Sequence, residues 1–318
     1  MSFLYDTLRS WLVRAPRAQR VDLRGQRAIV TGATPGSLGF ETARLLAAWG
    51  ADVVVSTRRA PETAAAQLRQ QLASVPGHGR VEALALDLCE RDSVEHFVAR
   101  YRERHDALEL LVNNAGVHLD LLSQWQAPQL TADGHEIHWR TNYLGTMHLT
   151  HRLLPLLQRA GGARVVNVVS QLHVKGSNAG LFAPQPRYNS WVAYGNSKLA
   201  LVHATFELQR RYAHHHGVQA YCLHPGAVYT HIADGGLAGN PAVERLRRAF
   251  APVEAFFLLT PEEGAQTSLH CASAADAEGG RYYRACRVAE PSADSRDAAV
   301  SARLWQDTAD WVEPDRAF

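Results

Sequence analysis

Lysine is almost absent from this 318-residue chain, although lysine and arginine together number 33. The two lysines are Lys175 and Lys198. Positive charge is therefore carried almost entirely by arginine, and 31 acidic residues reduce the net charge to +2. Proteins that bind the phosphate backbone of a nucleic acid usually carry a clear excess of basic residues, and this chain does not. We therefore expect no nucleic acid partner.

Cysteine and long apolar runs are also scarce. The four cysteines form no Cys-x-x-Cys pair, so the pattern predicts neither a disulfide framework nor a zinc knuckle. No signal-peptide pattern is recognised, and we expect a reducing, cytoplasmic location. No apolar run reaches the roughly 18 residues that a membrane-spanning helix needs. Membrane insertion is therefore not predicted.

Histidine is abundant, with sixteen residues, but its spacing does not suit a metal site. The run His214–His216 cannot place three rings on one face of a helix. The segment His135–His138 is one residue short of the His-Glu-x-x-His zinc pattern. His148 and His151 share a helix face but lack a third ligand. We predict no metal centre.

The first 24 residues have a pattern of their own. Leu4, Leu8, Trp11 and Leu12 recur at helical spacing beside arginines, which predicts an amphipathic helix. Such a helix packs either on a protein surface, its own or that of a second subunit, or on a membrane interface. We favour the protein surface. Residues 1–24 are interpreted as an extension, and residues 25–318 as one domain.

From residue 25 onward, short β-branched runs alternate with helical patterns. Strands are predicted at 28–31, 52–56, 81–86, 108–112, 163–169, 218–223 and near Tyr282, and helices at 39–49, 61–74, 91–104, 132–159, 191–215 and 261–273. This alternation predicts parallel crossovers, and therefore an α/β fold with one doubly wound, Rossmann-type parallel sheet and helices on both faces. The segment 225–259 interrupts the alternation and is predicted to form a substrate lid.

A glycine-rich turn joins the first predicted strand to the first predicted helix. It runs from Thr31 to Gly39 and contains Gly32 and Gly36. Glycines at this junction let the backbone approach a pyrophosphate at the helix N-terminus. About twenty residues further on, where such sites read the adenine ribose, the chain has Arg58 and Arg59 rather than an acid. A guanidinium there favours the 2′-phosphate of NADP, although NAD stays open because both arginines also suit a solvated surface.

Lys198 stands four residues after Tyr194. On a helix this spacing places the ammonium and the phenol on one face. A nearby positive charge favours phenolate, so the spacing predicts a tyrosine whose pKa is lowered and which exchanges protons near neutral pH. The alternative is an accidental pair on a helix surface.

The order of these motifs resembles the short-chain dehydrogenase/reductase family. The glycine turn is followed by Asn113-Asn114-Ala115-Gly116, Ser170, Tyr194 with Lys198, and Pro225-Gly226. The segments 39–43, 142–145 and 260–265 are similar to the retinol dehydrogenase-like branch. The likeness covers residues 25 to about 310. It implies an NAD(P)-dependent oxidoreductase that transfers hydride between a nicotinamide cofactor and a carbonyl or alcohol group.

The resemblance also implies a role for individual residues. Tyr194 would be the general acid/base, and Lys198 would bind the nicotinamide ribose and lower the pKa of the phenol. Ser170 would hold the substrate oxygen, and Asn142 would hold a water that links the lysine to solvent. The implied cofactor contacts are Gly32, Thr34, Gly36, Ser37, Leu38, Gly39, Arg58, Asp87, Leu88, Asn114, Ala115, Gly116, Tyr194, Lys198, Pro225, Gly226, Val228 and Thr230.

Two segments depart from the usual family pattern. Two residues, rather than one, separate Gly36 from Gly39, so the turn is one residue longer. Divergent enoyl reductases lengthen the same turn, and this implies that Ser37 contacts the pyrophosphate. The segment between Ser170 and Tyr194 is also long and contains apolar residues. It is either an apolar flap beside the substrate crevice or a structural loop.

Taken together, the sequence predicts an NADP-preferring oxidoreductase for a lipophilic or polycyclic small molecule. Two rivals stay open, because a fold does not fix a function. One is a non-catalytic, cofactor-binding regulatory protein, and the other is epimerase, dehydratase or enoyl-reductase chemistry on the same scaffold. The resemblance implies a homo-oligomer, although the segment around Leu304 and Trp305 could cover the usual interfaces. Contact with a membrane surface is not expected.

Overall fold

A computed structural model describes residues 15–228 and 258–313 of the chain. In this part of the chain eight strands form one sheet in the order β3-β2-β1-β4-β5-β6-β7-β8. The strands are β1 (Arg27–Thr31), β2 (Asp52–Thr57), β3 (Val81–Ala85), β4 (Leu110–Asn113), β5 (Arg164–Val168), β6 (Gln219–His224), β7 (Arg281–Arg284) and β8 (Arg287–Ala289). Neighbouring strands are parallel except for β7 and β8. The order reverses between β1 and β4, and this creates a crevice at their carboxyl ends.

Seven α-helices connect or flank the strands in the described residues. They are α1 (Leu38–Ala48), α2 (Pro61–Leu72), α3 (Arg91–Arg102), α4 (Thr146–Arg159), α5 (Ser190–His216), α6 (Pro261–Ser273) and α7 (Ala298–Val312). A π-helical turn at Trp139–Gly145 leads into α4, and short 3-10 turns occupy Gln171–Lys175, Ala179–Leu181 and Asp294–Arg296.

Two apolar cores lie on opposite faces of the sheet. Ile29 belongs to one core, whereas its neighbours Ala28 and Val30 belong to the other. This is the alternation expected of side chains along a strand. The first core contains residues of α3, α4, α5 and α7, and the second contains residues of α1, α2 and α6. The prediction of a single Rossmann-type α/β domain with helices on both faces is confirmed.

Side-chain caps explain where several helices begin. The Ser37 hydroxyl accepts a hydrogen bond from the Phe40 amide at the start of α1, and the Asn189 side chain caps α5 in the same way. Thr260 and Glu263 form a reciprocal capping box before α6. Such caps satisfy amide groups that have no partner within the helix.

The elements differ from the sequence-based prediction at three places. The helix expected from residue 132 begins at Trp139, because residues 131–135 form a turn in which Gly134 has a φ of 80°. Strand β8 and helix α7 were not predicted. Helix α7 packs against α5 and α4, and its Thr308 hydroxyl lies 2.6 Å from the Tyr143 hydroxyl.

The residues that precede β1 pack on the domain where they are described. The Ala18 amide donates to the Gln266 side chain at 3.0 Å, and Leu23 is buried in the core. Residues 1–14, which include the predicted amphipathic pattern, lie outside the described residues, as do residues 229–257 of the predicted lid. No helix within the described ranges is long and apolar enough to cross a membrane.

Candidate active site

A cavity of about 440 Å³ opens at the carboxyl ends of β1 to β6. It is lined by Gly32, Thr34, Ser37, Leu38, Ser56, Thr57, Arg58, Leu86, Asp87, Leu88, Asn114, Ala115, Gly116, Val117, His118, Leu119, Thr141, Val168, Val169, Ser170, Tyr194, Lys198, His224, Pro225, Gly226 and Val228. Most of the predicted site residues are therefore brought together. Gly36, Gly39 and Asn142 do not line the cavity, and Thr230 lies outside the described residues.

The glycine turn after β1 packs directly against the turn after β4. Gly32 has a φ of 71°, and a Cβ atom there would lie 2.9 Å from the Cα of Ala115. A Cβ atom on Gly39 would lie 2.3 Å from the side-chain nitrogen of Asn114, which donates to the Thr31 carbonyl at 2.8 Å. The N-terminus of α1 is thereby held beside the cavity, with backbone rather than a side chain at Gly32 and Gly39, and this cradle suits a pyrophosphate group.

The additional residue in the turn, Ser37, is used within the protein. Its hydroxyl donates to the Gly32 carbonyl at 3.2 Å and accepts from the Phe40 amide at 3.2 Å. The longer turn is thus closed by the residue that caps α1. A direct contact between Ser37 and a pyrophosphate stays a prediction.

The end of β2 forms the wall of the cavity at which an adenine ribose would lie. Ser56, Thr57 and Arg58 line it, and the Arg58 side chain is exposed. Among the lining residues Asp87 is the one carboxylate, and its Oδ1 accepts from the Cys89 amide at 2.9 Å. The β2 end therefore presents a guanidinium and two hydroxyls, with no acidic residue.

Tyr194 and Lys198 lie in the first turns of α5 and face the cavity together with Ser170. The side chains of Tyr194 and Ser170 are hydrogen-bonded. The Lys198 ammonium donates to the Val168 carbonyl at 3.1 Å and lies 5.8 Å from the centroid of the Tyr194 ring. Tyr194 is 8% exposed and Lys198 is 3% exposed. The phenol, the hydroxyl and the ammonium thus meet in a buried part of the cavity.

Burial controls the protonation of both groups. It raises the pKa of Tyr194 to about 12, although the hydrogen bond with Ser170 acts in the opposite direction. It lowers the pKa of Lys198 to about 8. In the protein without cofactor, the pKa of the phenol is therefore raised rather than lowered, because burial disfavours the phenolate. A lowering by Lys198 together with the nicotinamide charge stays a prediction.

Asn142 lies in the π-helical turn and holds the segment that follows β4. Its Oδ1 accepts from the Val117 amide at 2.7 Å, and its Nδ2 donates to the Val117 carbonyl at 2.9 Å and to the Ser197 hydroxyl at 3.1 Å. A Cβ atom on Gly116 would lie 3.0 Å from the Lys198 Nζ and 3.3 Å from the Asn142 Oδ1. Lysine and asparagine therefore flank the same glycine. The role of Asn142 in holding a water stays a prediction.

The sequence did not identify several lining residues. Val117, His118 and Leu119 follow the Asn113–Gly116 motif directly and line the cavity. The His118 ring stacks on the Tyr194 ring with centroids 4.4 Å apart. Their position just after a motif at a strand end is the signal that could have identified them, because crevice ligands contact the residues beyond such ends.

Comparison with known proteins agrees with this geometry. Residues 26–237 match the family model of the short chain dehydrogenases. Mouse retinol dehydrogenase 12 is 36% identical over 96% of this chain and 93% of its own length. Human retinol dehydrogenase 11 is 34% identical over 91% of this chain and 86% of its own. A probable oxidoreductase of Streptomyces antibioticus is 36% identical over 90% of this chain and 97% of its own.

Solved structures show the same fold. A putative short chain dehydrogenase from Pseudomonas syringae superimposes with a TM-score of 0.62 at 25% identity, covering 85% of this chain and 98% of its own. The active-site complex of Pseudomonas aeruginosa RhlG with NADP superimposes with a TM-score of 0.60 at 25% identity, covering 82% of this chain and 94% of its own.

Proposed function

Because the chain belongs to the short-chain dehydrogenase family, in its retinol dehydrogenase-like branch, we propose that it interconverts a carbonyl and an alcohol on a lipophilic small molecule, with NADP preferred over NAD. The observation that carries the proposal is the meeting of Ser170, Tyr194 and Lys198 in one cavity beside the glycine cradle. Bound there, the nicotinamide would supply or accept the hydride.

The protein's own residues divide the remaining work. Tyr194, like any tyrosine with a pKa of about 10 or above, is protonated at neutral pH, and burial raises its pKa further, to about 12. It therefore holds a proton that it can donate to a carbonyl oxygen. Ser170 is hydrogen-bonded to the phenol and orients the same oxygen. Lys198, which lines the cavity, would donate to the hydroxyls of the nicotinamide ribose. In the alcohol-oxidising direction the phenol must first lose its proton, and this requires additional positive charge near the ring.

Arg58 supports the preference for NADP. It lines the end of β2 together with Ser56 and Thr57, and none of these three residues is a carboxylate that could bind a free ribose 2′-hydroxyl. A guanidinium pairs well with a phosphate, and RhlG, at 25% identity, has been solved with NADP. We expect Arg58→Ala to weaken NADPH binding about tenfold or more while NADH binding changes little. Fluorescence titration with both cofactors measures this difference, and equal losses for the two would contradict the preference.

The substrate class rests on the apolar part of the cavity. Val117, Leu119 and Val169 line it beside Ser170 and Tyr194, and several relatives are named as retinol dehydrogenases. The test is to incubate the pure protein with NADPH or NADH and a panel of aromatic, steroid-like and retinoid-like carbonyls. We expect turnover with NADPH that Tyr194→Phe abolishes while cofactor binding is retained. No turnover dependent on Tyr194 would refute the proposal.

The same assay separates the rival functions. Cofactor binding without redox turnover, together with a Tyr194→Phe variant that keeps its biological activity, would identify a regulatory protein. Products from deuterium-labelled cofactor distinguish simple carbonyl reduction, which places the label on the carbinol carbon, from epimerisation, dehydration or enoyl reduction. A cytoplasmic location and a homo-oligomeric state are further proposals. The four cysteines are free, and free thiols suit a reducing compartment.

A further inference from the structure

The imidazole of His118 lies flat on the phenol of Tyr194. The two ring centroids are 4.4 Å apart, and the ring planes differ by 12°. His118 is 3% exposed and lines the same cavity as Ser170. A parallel stack covers one face of the phenol, so water cannot reach the ring from that side.

Neighbouring rings hold His118 in this orientation. Trp191 meets it edge to face at 4.8 Å, and His138 does so at 5.6 Å. His138 is itself fixed, because its Nε2 accepts from the Leu119 amide at 3.0 Å and its Nδ1 lies 2.7 Å from a carboxylate oxygen of Glu136. Since Nε2 is an acceptor, we assign the ring proton to Nδ1. The stack on Tyr194 is therefore supported by a hydrogen-bonded partner rather than by a loose side chain.

His118 presents a neutral ring to Tyr194. Burial lowers the pKa of His118 to about 4, and His138 acts in the same direction, whereas Asp120 and Glu136 oppose the shift. The His118 Nε2 is buried and has no hydrogen-bond partner among the described residues. Near neutral pH the ring is thus a flat, uncharged surface and not a proton donor to Tyr194.

We propose that His118 is a positioning residue that acts through Tyr194: it fixes the phenol hydroxyl toward Ser170 and excludes water from one face of the ring. The proposal rests on the proposed function in that Tyr194 is taken as the acid/base. The other titratable groups that face the phenol are Lys198 from its own helix and His138, whose ring centroid is 6.3 Å away.

The first test does not depend on turnover. Tyrosine labelled with ¹³C at Cζ is incorporated into the protein, and the Tyr194 signal is identified by its loss in Tyr194→Phe. In the wild type and in His118→Phe, whose ring can replace the stack, we expect the phenol to stay protonated up to about pH 10.5. In His118→Ala water reaches the ring, and we expect the phenol to titrate near its ordinary pKa of about 10.

Kinetics provide the second test. We expect kcat of His118→Ala to fall about tenfold or more, with the KM for the cofactor changed less than about twofold, whereas His118→Phe keeps kcat within about threefold. Thermal unfolding checks that the variants are folded, and His118→Leu takes the place of the alanine variant if that one is not. An unchanged Tyr194 titration in His118→Ala would overturn the proposal. A folded His118→Phe that shows the same titration and the same loss of kcat as His118→Ala would overturn it too. If the wild type has no turnover, the proposed function fails, and the titration alone then decides whether His118 shields Tyr194.

Discussion

Lys198 occupies a space that is shaped for an ammonium. Its Nζ donates to the Val168 carbonyl at 3.1 Å and lies close to the backbone of Gly116. We expect Lys198→Arg, although it keeps the charge, to weaken cofactor binding and lower kcat, each about tenfold or more, because a planar guanidinium does not fit this space. Titration with NADPH and steady-state kinetics measure both effects. Lys175→Arg, at the exposed second lysine, is the matched control and should leave both values unchanged.

Ser37 connects the longer glycine turn to the stability of α1. Its hydroxyl caps the helix and also donates to Gly32. We expect Ser37→Ala to lower the free energy of unfolding by about 1 kcal/mol, because the Phe40 amide loses its partner. Urea denaturation measures the change. Ser37→Asp, which can cap but cannot donate to Gly32, should recover part of the loss. Equal stability of the wild type and the alanine variant would show that the cap contributes nothing.

At the residue scale, the sequence predicted which residues meet in the cavity but not how burial shifts their pKa values. The glycine turn, Asn114, Ser170 and Tyr194 are recognisable because motif residues at consecutive strand ends must converge in this fold. The raised pKa of Tyr194 was not predictable, because it depends on how completely neighbouring elements bury the phenol. The stack with His118 was missed for the same reason, since it depends on tertiary packing rather than on spacing along the chain.

Helix α7 is tied to the segment that lines the cavity after β3. The buried Arg140 donates to the Leu88 carbonyl at 2.6 Å, and its guanidinium lies 5.0 Å from the Trp311 ring of α7. The guanidinium of Arg91 lies 4.4 Å from the same ring and donates to the Trp311 and Val312 carbonyls. The Trp311 indole thus contacts two guanidinium groups, and one of them, that of Arg140, also binds the Leu88 carbonyl.

From these contacts we expect Trp311→Ala to act on both stability and cofactor binding. The free energy of unfolding should fall by about 3 kcal/mol, because the helix loses a large packed side chain and two cation contacts. Affinity for NADPH should fall a few-fold because the Leu88 segment is less well held, and Trp311→Phe should lose less of both. Urea denaturation and cofactor titration check the two effects. Full cofactor affinity in a destabilised Trp311→Ala would show that α7 has no influence on the site.

Element prediction succeeded where the pattern is local. Strands and helices before residue 130 and the helix at 261–273 begin and end within about two residues of the prediction, because β-branched runs and caps specify them directly. Helix α7 was missed because buried polar residues interrupt its apolar pattern, and the side chains that pair with them lie in distant elements. Ser301 is bonded to His203 at 2.7 Å, and Thr308 to Tyr143 at 2.6 Å.

At the scale of the whole molecule, three enclosed histidines make stability depend on pH. Burial lowers the pKa of His118, His203 and His224 to about 4 in each case. As pH falls below about 6.5 the unfolded chain binds protons on these rings, whereas the folded protein does not until about pH 4. Their contribution to stability is therefore fully present above about pH 6.5 and is lost progressively down to about pH 4.

We accordingly expect the free energy of unfolding to decrease steadily between about pH 6.5 and pH 4, by at most about 3 kcal/mol for each histidine. Urea denaturation across this range measures the slope. His118→Phe should make the slope smaller, and the exposed His215→Gln should leave it unchanged. A slope that is the same in wild type and His118→Phe would mean that His118 is not held neutral in the folded state.

The contact between Gly39 and Asn114 carries a consequence for how this chain can diverge. A β-carbon at position 39 would fall 2.3 Å from the amide of Asn114, and that amide closes the turn on the Thr31 carbonyl. The same β-carbon would lie 2.7 Å from the Gly32 carbonyl oxygen, so a side chain at position 39 would have to displace backbone as well as this amide. Among homologues, position 39 should therefore remain glycine whatever residue stands at position 114, because no side-chain substitution removes the contact with the Gly32 carbonyl.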